Sequence, residues 1–259
     1  MVQEGMATFI LKEQFIPDHI FIYLVKGSLR IFDGNKHYVF KSGDAFFLRK
    51  NTLAKFELLE DVFEPVAFCF EESFLKEFQQ KHSLIFTPNY RITDALIEIK
   101  ANKMIHSFME SIKPYHKGFM ELREDFEDLK HEELILILLL EQSELSDTLF
   151  DFSAPEKIDL RAFMNKNYKF NISTQDFAKL TGRSLSSFKR DFKHLFNVTP
   201  GRWLTKKRLQ EAYFLINTKN QKPVDIYLDL GFESLSHFSV AFKKEFNLTP
   251  TQLMSETKG

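Results

Sequence analysis

The sequence predicts two domains: a β-rich barrel with attached helices over residues 1–150, then an all-α domain over 157–259 holding two helix-turn-helix units. Three observations carry this reading. Short apolar runs broken by turn residues fill the chain to about residue 70. The apolar period becomes helical after Glu71. Finally, the stretch Phe177–Pro200 recurs as Tyr227–Pro250, 50 positions on, with Leu180, Ser184, Phe188, Phe192, Phe196, Asn197, Thr199 and Pro200 all matched. Two copies are too few for a solenoid, so one supersecondary unit is used twice.

Charge divides the chain at the same place. Residues 157–259 hold 18 Lys and Arg against 9 Asp and Glu, a net of +9, whereas residues 1–156 carry −10. A basic half implies a polyanionic partner. The lone cysteine, Cys69, excludes an internal disulfide framework and a Cys-rich zinc site. Its place in VAFCF predicts an inert buried thiol. The N-terminus lacks a basic region followed by an apolar block, and the longest apolar run, Leu134–Leu140, is too short to span a bilayer. The expectation is a cytoplasmic protein with no membrane contact.

In the N-terminal half, HIFIYLV, SLRIF, HYVF, AFFL and FEPVAFCF read as strands. Lys26-Gly27, Asp33-Gly34-Asn35 and Ser42-Gly43-Asp44 mark their turns, with Asp33-Gly34 a hairpin signal. Several short strands at this spacing predict a small sandwich or barrel. The pattern YLVKGSLRIFDGNKHYVFKSGDAFFL resembles a cupin-like jelly roll. Metal-dependent cupins need clustered imidazoles and a carboxylate; His19 and His37 lie on separate strands, so no metal, cofactor or catalytic set is expected. Tyr23, Phe32, Tyr38, Phe40 and Phe46 are the candidate lining of a small-effector pocket, or else plain core.

Residues 92–112 place Ile92, Leu96, Ile99, Ile105, Phe108, Met109 and Ile112 near helical spacing, with Pro114 as the stop. A second helix over roughly 121–145 carries ELILILLLEQ, apolar on more than one face and so expected to be buried on both sides. Helices of this kind either cover the barrel or form a homodimer contact. Residues 146–156 read as the connection between domains.

The C-terminal half begins with a helix over about 160–167. Ser173 and Asp176 then form a capping box, Thr181-Gly182 a turn, and Ser184 the cap of a helix whose Phe188, Phe192 and Phe196 share one face. Its other face presents Ser186, Ser187, Lys189, Arg190 and Lys193. An arginine there suits bidentate guanine contact, and a lysine suits phosphate. In the repeat, Pro223 opens a helix through Leu228, Gly231 turns the chain, and Ser234 caps a helix presenting Ser236, His237, Ser239, Val240, Lys243 and Lys244. Between the units, Trp203–Asn217 is an amphipathic helix able to hold both recognition helices at a set separation on double-stranded DNA.

Residues 157–255 resemble the DNA-binding domain of AraC/XylS-type transcription regulators. Ser184, Phe188, Arg190, Phe192, Lys193 and Thr199-Pro200 carry the likeness in the first unit, and Arg208-Leu209, Ala212 and Leu215 in the linker helix. In the second they are Ile226, Gly231-Phe232, Ser234, His237-Phe238, Phe242-Lys243, Phe246 and Thr249-Pro250. The resemblance implies a non-enzymatic, sequence-specific regulator, an activator with RNA polymerase as a further partner. Its cupin-like N-terminal domain would bind a small effector, or only dimerise or dock a protein. Val240 stands where the family often has Arg, Tyr227 where Ala is usual, and Asn197 and Asn247 where Gly is common. The family's closing Tyr-Arg is absent after Pro250. Strict base readout is therefore expected mainly from the first unit.

Overall fold

The computed structural model describes residues 14–83, 94–100, 102–115, 124–153 and 156–256. The chain divides into two compact halves, the first ending at Ala154 and the second starting at Pro155. Among the described residues nine strands lie in the first half: β1 (Phe15–Ile16), β2 (His19–Lys26), β3 (Ser28–Phe32), β4 (His37–Lys41), β5 (Ala45–Leu48), β6 (Thr52–Leu53), β7 (Lys55–Leu58), β8 (Glu64–Phe70) and β9 (Leu96–Ile99). They pair as β8-β2-β5-β9, as β4-β3-β7 and as β1-β6.

The β-rich half is a sandwich of open sheets, the first of the two forms, sandwich or barrel, that the strand spacing predicts. Ile22 and Leu24 of β2 and Phe46 and Leu48 of β5 face Leu29, Ile31, Tyr38 and Phe40 of the three-stranded sheet. Phe21, Tyr23, Phe47 and Phe68 point the other way, into a second core with the helices. Because β2 is sandwiched on both faces, its sequence is a nearly unbroken apolar run. By contrast β4 alternates, burying Tyr38 and Phe40 while Val39 is 50% exposed. The turn before β3 needs glycine: Gly27 has φ +90°, and a Cβ there would meet the Val62 carbonyl oxygen at 2.2 Å. Asp33 holds the β3–β4 turn by accepting hydrogen bonds from the amides of Asn35 and Lys36.

Among the described residues this half also holds α1 (Glu72–Lys81), α2 (Lys103–Ile112), α3 (Glu124–Glu141) and α4 (Ser146–Leu149). Three expectations need correction. The helix predicted over 92–112 begins only at Lys103, where the Asn102 side chain caps the amides of Met104 and Ile105. Residues 96–99 instead pair with β5, Leu96 opposite Leu48 and Ile99 opposite Ala45. LIEI fits both periods, and the open edge of β5 decided for strand; Ile92 lies outside the described residues. Helix α3 is not buried all round: Leu134, Ile135 and Leu138 are buried, but Leu129, Leu136 and Leu140 are 61%, 48% and 71% exposed. The supposed connector starts with α4, and its Leu149 and Phe150 join the helical core.

The C-terminal half is helical: α5 (Leu160–Asn167), α6 (Thr174–Leu180), α7 (Leu185–Phe196), α8 (Pro200–Lys219), α9 (Pro223–Ile226), α10 (Leu235–Phe246) and α11 (Pro250–Glu256). It has two cores. Leu160, Met164, Phe177, Phe188, Phe192 and Leu204 form one; Leu209, Ala212, Ile216, Ile226, Phe238, Phe242 and Leu253 form the other. Helix α8 supplies residues to both, which is why its apolar positions wrap round the helix instead of making one stripe. Helix α9 stops at Ile226, short of the expected Leu228, which is 58% exposed.

Candidate nucleic-acid interface

Each recognition helix is positioned by the same local chemistry. In the first unit the Ser173 hydroxyl accepts from the Asp176 amide at 3.1 Å, starting α6. Thr181, fully buried in the turn, donates to the carbonyls of Phe177 and Ala178 at 2.8 and 3.0 Å. The Ser184 hydroxyl accepts from the Ser187 amide at 3.2 Å, and Ser234 accepts from the His237 amide at the same distance. Phe188, Phe192, Phe238 and Phe242 are fully buried, so the opposite faces of α7 and α10 are turned to solvent. Asn197 and Asn247 end the two helices at φ 58° and 62°, the left-handed cap expected of them. Tyr227 finds its extra room by remaining half-buried.

On α7, Ser186, Lys189, Arg190 and Lys193 are exposed and Ser187 is half-buried; on α10, Ser236, His237, Val240 and Lys243 are exposed and Ser239 is half-buried. Val240 is 70% exposed. Arg190 is not free. Its Nε and Nη2 donate to Asp191 Oδ1 at 3.3 and 3.2 Å, and Nη2 also reaches Ser187 Oγ at 3.3 Å. Asp191 Oδ2 in turn accepts from Arg183 Nε at 3.3 Å. Arg183 Nη1 donates to the carbonyls of Thr181 and Ile158 at 2.6 and 3.0 Å. Burial pushes the Asp191 carboxyl up, but the hydrogen bonds and charges of Arg183 and Arg190 outweigh it and hold the group below its usual value.

A second arginine joins the two units. Arg208 of α8 is buried, with Nε donating to Tyr168 O at 2.7 Å, Nη2 to Phe170 O at 2.7 Å and Nη1 to Gly231 O at 2.9 Å. Tyr168 and Phe170 follow the first unit's α5, and Gly231 forms the second unit's turn. Burial lowers Arg208 to about 10, so it remains charged at neutral pH, its charge met by three carbonyl dipoles. Sequence reasoning named Arg208 without a role and passed over Arg183 and Asp191. The spacing of Asp191 one turn after Ser187 and beside Arg190 was the available signal.

The candidate effector residues do not gather round one cavity. Tyr38, Phe40 and Phe46 stack within the sandwich core. Tyr23, across the sheet, contacts His106 through its hydroxyl at 3.1 Å, and Phe32 is half-buried against His37. Side chains alternate along a strand, so Tyr23 and Phe46, one position out of step on paired strands, point to opposite faces. Cys69 is exposed on β8, not buried as expected. Neighbours still crowd its sulfur, and that partial burial with Asp18 and Glu71 pushes the thiol up to about 11, so it is a protonated, poor nucleophile at neutral pH. Among the described residues no cluster of three metal-ligating side chains forms, and no helix is long and apolar enough to cross a membrane.

Comparison with known proteins places this arrangement. The family model for the ExsA N-terminal regulatory domain matches residues 19–148, and a helix-turn-helix domain model matches residues 177–256. The chain belongs to the AraC/XylS family of DNA-binding transcription regulators. The HTH-type transcriptional regulator ExsA of Pseudomonas aeruginosa is 29% identical over 126 residues, 48% of this chain and 45% of that protein. The virulence regulon transcriptional activator VirF of Yersinia enterocolitica is 26% identical over 240 residues, 88% of this chain and 86% of VirF. A crystal structure of ToxT from Vibrio cholerae aligns with a TM-score of 0.43 at 18% identity, covering 95% of this chain and 91% of that one. These relatives are transcription regulators, a non-enzymatic function.

Proposed function

We propose that this protein is a cytoplasmic transcription activator that reads an asymmetric DNA site, its first recognition helix supplying most of the base discrimination. The observation that carries this is the contrast between two equally well-formed helices. Helix α7 exposes Lys189, Arg190 and Lys193, whereas α10 exposes Ser236, His237, Val240, Lys243 and Lys244, with no arginine among them. Arg190 would read guanine, and Lys193 and Lys243 would meet phosphates. Activation, with RNA polymerase as the further partner, is supported by the family and by the relative described as an activator.

For the N-terminal half, protein contact is favoured over a small effector. Four of the five aromatic residues that would line an effector pocket, Tyr23, Tyr38, Phe40 and Phe46, are buried in the two cores. The exposed leucines of α3, at spacings of seven and four, form a seam suited to a second copy of the chain.

The test begins with selection of duplexes from a random pool, followed by titrations at several salt concentrations. Arg190→Ala should weaken binding by about 1–3 kcal/mol and relax preference at one or two positions. Lys193→Ala should weaken all sequences alike and reduce the salt slope by about one. Unchanged affinity and preference for Arg190→Ala would overturn the reading.

A further inference from the structure

We propose that Asp191 is a positioning residue for base readout: braced by Arg183, it holds the Arg190 guanidinium in one orientation on the face of α7. This inference rests on the reading of Arg190 as the base-contacting residue. An exposed arginine has many rotamers, and freezing one costs side-chain entropy. A partner that pre-sets the rotamer removes part of that cost before DNA arrives. Here the partner is itself fixed. Asp191 accepts from Arg183 through Oδ2 and from Arg190 through Oδ1. The Arg183 side chain is only 11% exposed and is tied to two backbone carbonyls, whereas that of Arg190 is 76% exposed. The chain of contacts runs from an anchored cation, through a carboxylate, to a solvent-facing reader. With Nε and Nη2 engaged by Asp191 and Ser187, Nη1 is the nitrogen that faces a base, so the contact it makes in this orientation is through Nη1 alone.

The repeat supplies an internal control. At the positions of Arg183, Ser187, Arg190 and Asp191, the second unit has Glu233, His237, Val240 and Ala241, so all four members of the contact are replaced together. Yet α10 has the same length, serine cap, buried phenylalanines and asparagine stop as α7. The fold of the unit thus forms without this carboxylate. A carboxylate on a surface that approaches phosphates weakens DNA binding, and the local partners set against that cost here are Arg183 and Arg190.

A double-mutant cycle on the full chain tests this, with Arg190→Ala, Asp191→Asn and the double variant. Each is titrated against the selected duplex, against that duplex with each guanine replaced in turn, and against random duplex. Asp191→Asn should bind random duplex more tightly and lose discrimination at one guanine by about threefold to thirtyfold. In the Arg190→Ala background the same change should leave discrimination unaltered. Asp191→Ala, which copies the residue of the second unit, serves if the asparagine variant melts early. Full discrimination in both Asp191 variants would overturn the proposal. So would a loss that persists without Arg190, since Asp191 would then act only through Arg183 and the turn. If Arg190→Ala itself keeps full base preference, the reading of Arg190 fails and the proposal falls with it.

Discussion

His19 sits in β2 with 2% of its surface exposed, its ring stacked on Phe47 and its Nδ1 accepting the Lys50 amide at 3.2 Å. Burial, together with the charges of Lys50 and Arg49, lowers its pKa from 6.5 to about 3. Between those values the unfolded chain takes up a proton that the folded half refuses, so stability falls as pH drops through 6.5. From pH 7 to pH 5 the loss is about 2 kcal/mol. Denaturant unfolding at both pH values should show it, and His19→Asn, which keeps an acceptor for the Lys50 amide, should show a slope smaller by that amount. Equal slopes would refute the assignment. Gly231 is the second decisive single residue. At φ +80°, a Cβ there would lie 2.8 Å from both Arg208 Cζ and the Lys169 carbonyl oxygen. Gly231→Ala should therefore cost at least about 1–2 kcal/mol from its backbone alone and lower the melting temperature. The glycine was legible in the sequence as a turn; that it also makes room for a buried guanidinium was not, because Arg208 lies 23 residues away.

Among the elements, the two recognition helices show how strongly local signals act when they agree. Serine cap, phenylalanines at every fourth position and asparagine stop were all visible in the sequence, and both helices end where those residues stand. Removing one signal should weaken its helix measurably: Ser184→Ala orphans the Ser187 amide and should destabilise the C-terminal half by about 1 kcal/mol. A melt matching the unaltered chain would mean that water caps this helix as well as the hydroxyl does. Where the signals were weak, the surroundings chose. Residues 96–99 satisfied helical and extended spacing alike and became a strand because β5 offered unpaired backbone groups. The apolar block of α3 suggested burial all round, but only one of its faces meets the sheet.

At the scale of the whole molecule, an acidic half carrying −10 and a basic half carrying +9 share one chain. The exposed Leu129, Leu136 and Leu140 make a dimer the expected solution state. Leu136→Asp combined with Leu140→Asp should convert it to monomer in sedimentation equilibrium, since both side chains are exposed in the single chain and serve no core of their own. A wild-type chain that sediments as a monomer would remove the seam from the reading.

The sequence by itself determined the division into a β-rich and a helical half, the duplicated unit, its caps and turns, and the exposed residues of each recognition helix. All of these rest on interactions within a few residues, which spacing records directly. Only the tertiary structure decided that the sheets stay open, that Tyr23, Tyr38, Phe40 and Phe46 serve as core while Phe32 stays half-buried, and that Asp191 and Arg208 have the partners they do. Those outcomes depend on which distant groups meet, and a linear pattern of residue types does not carry that information.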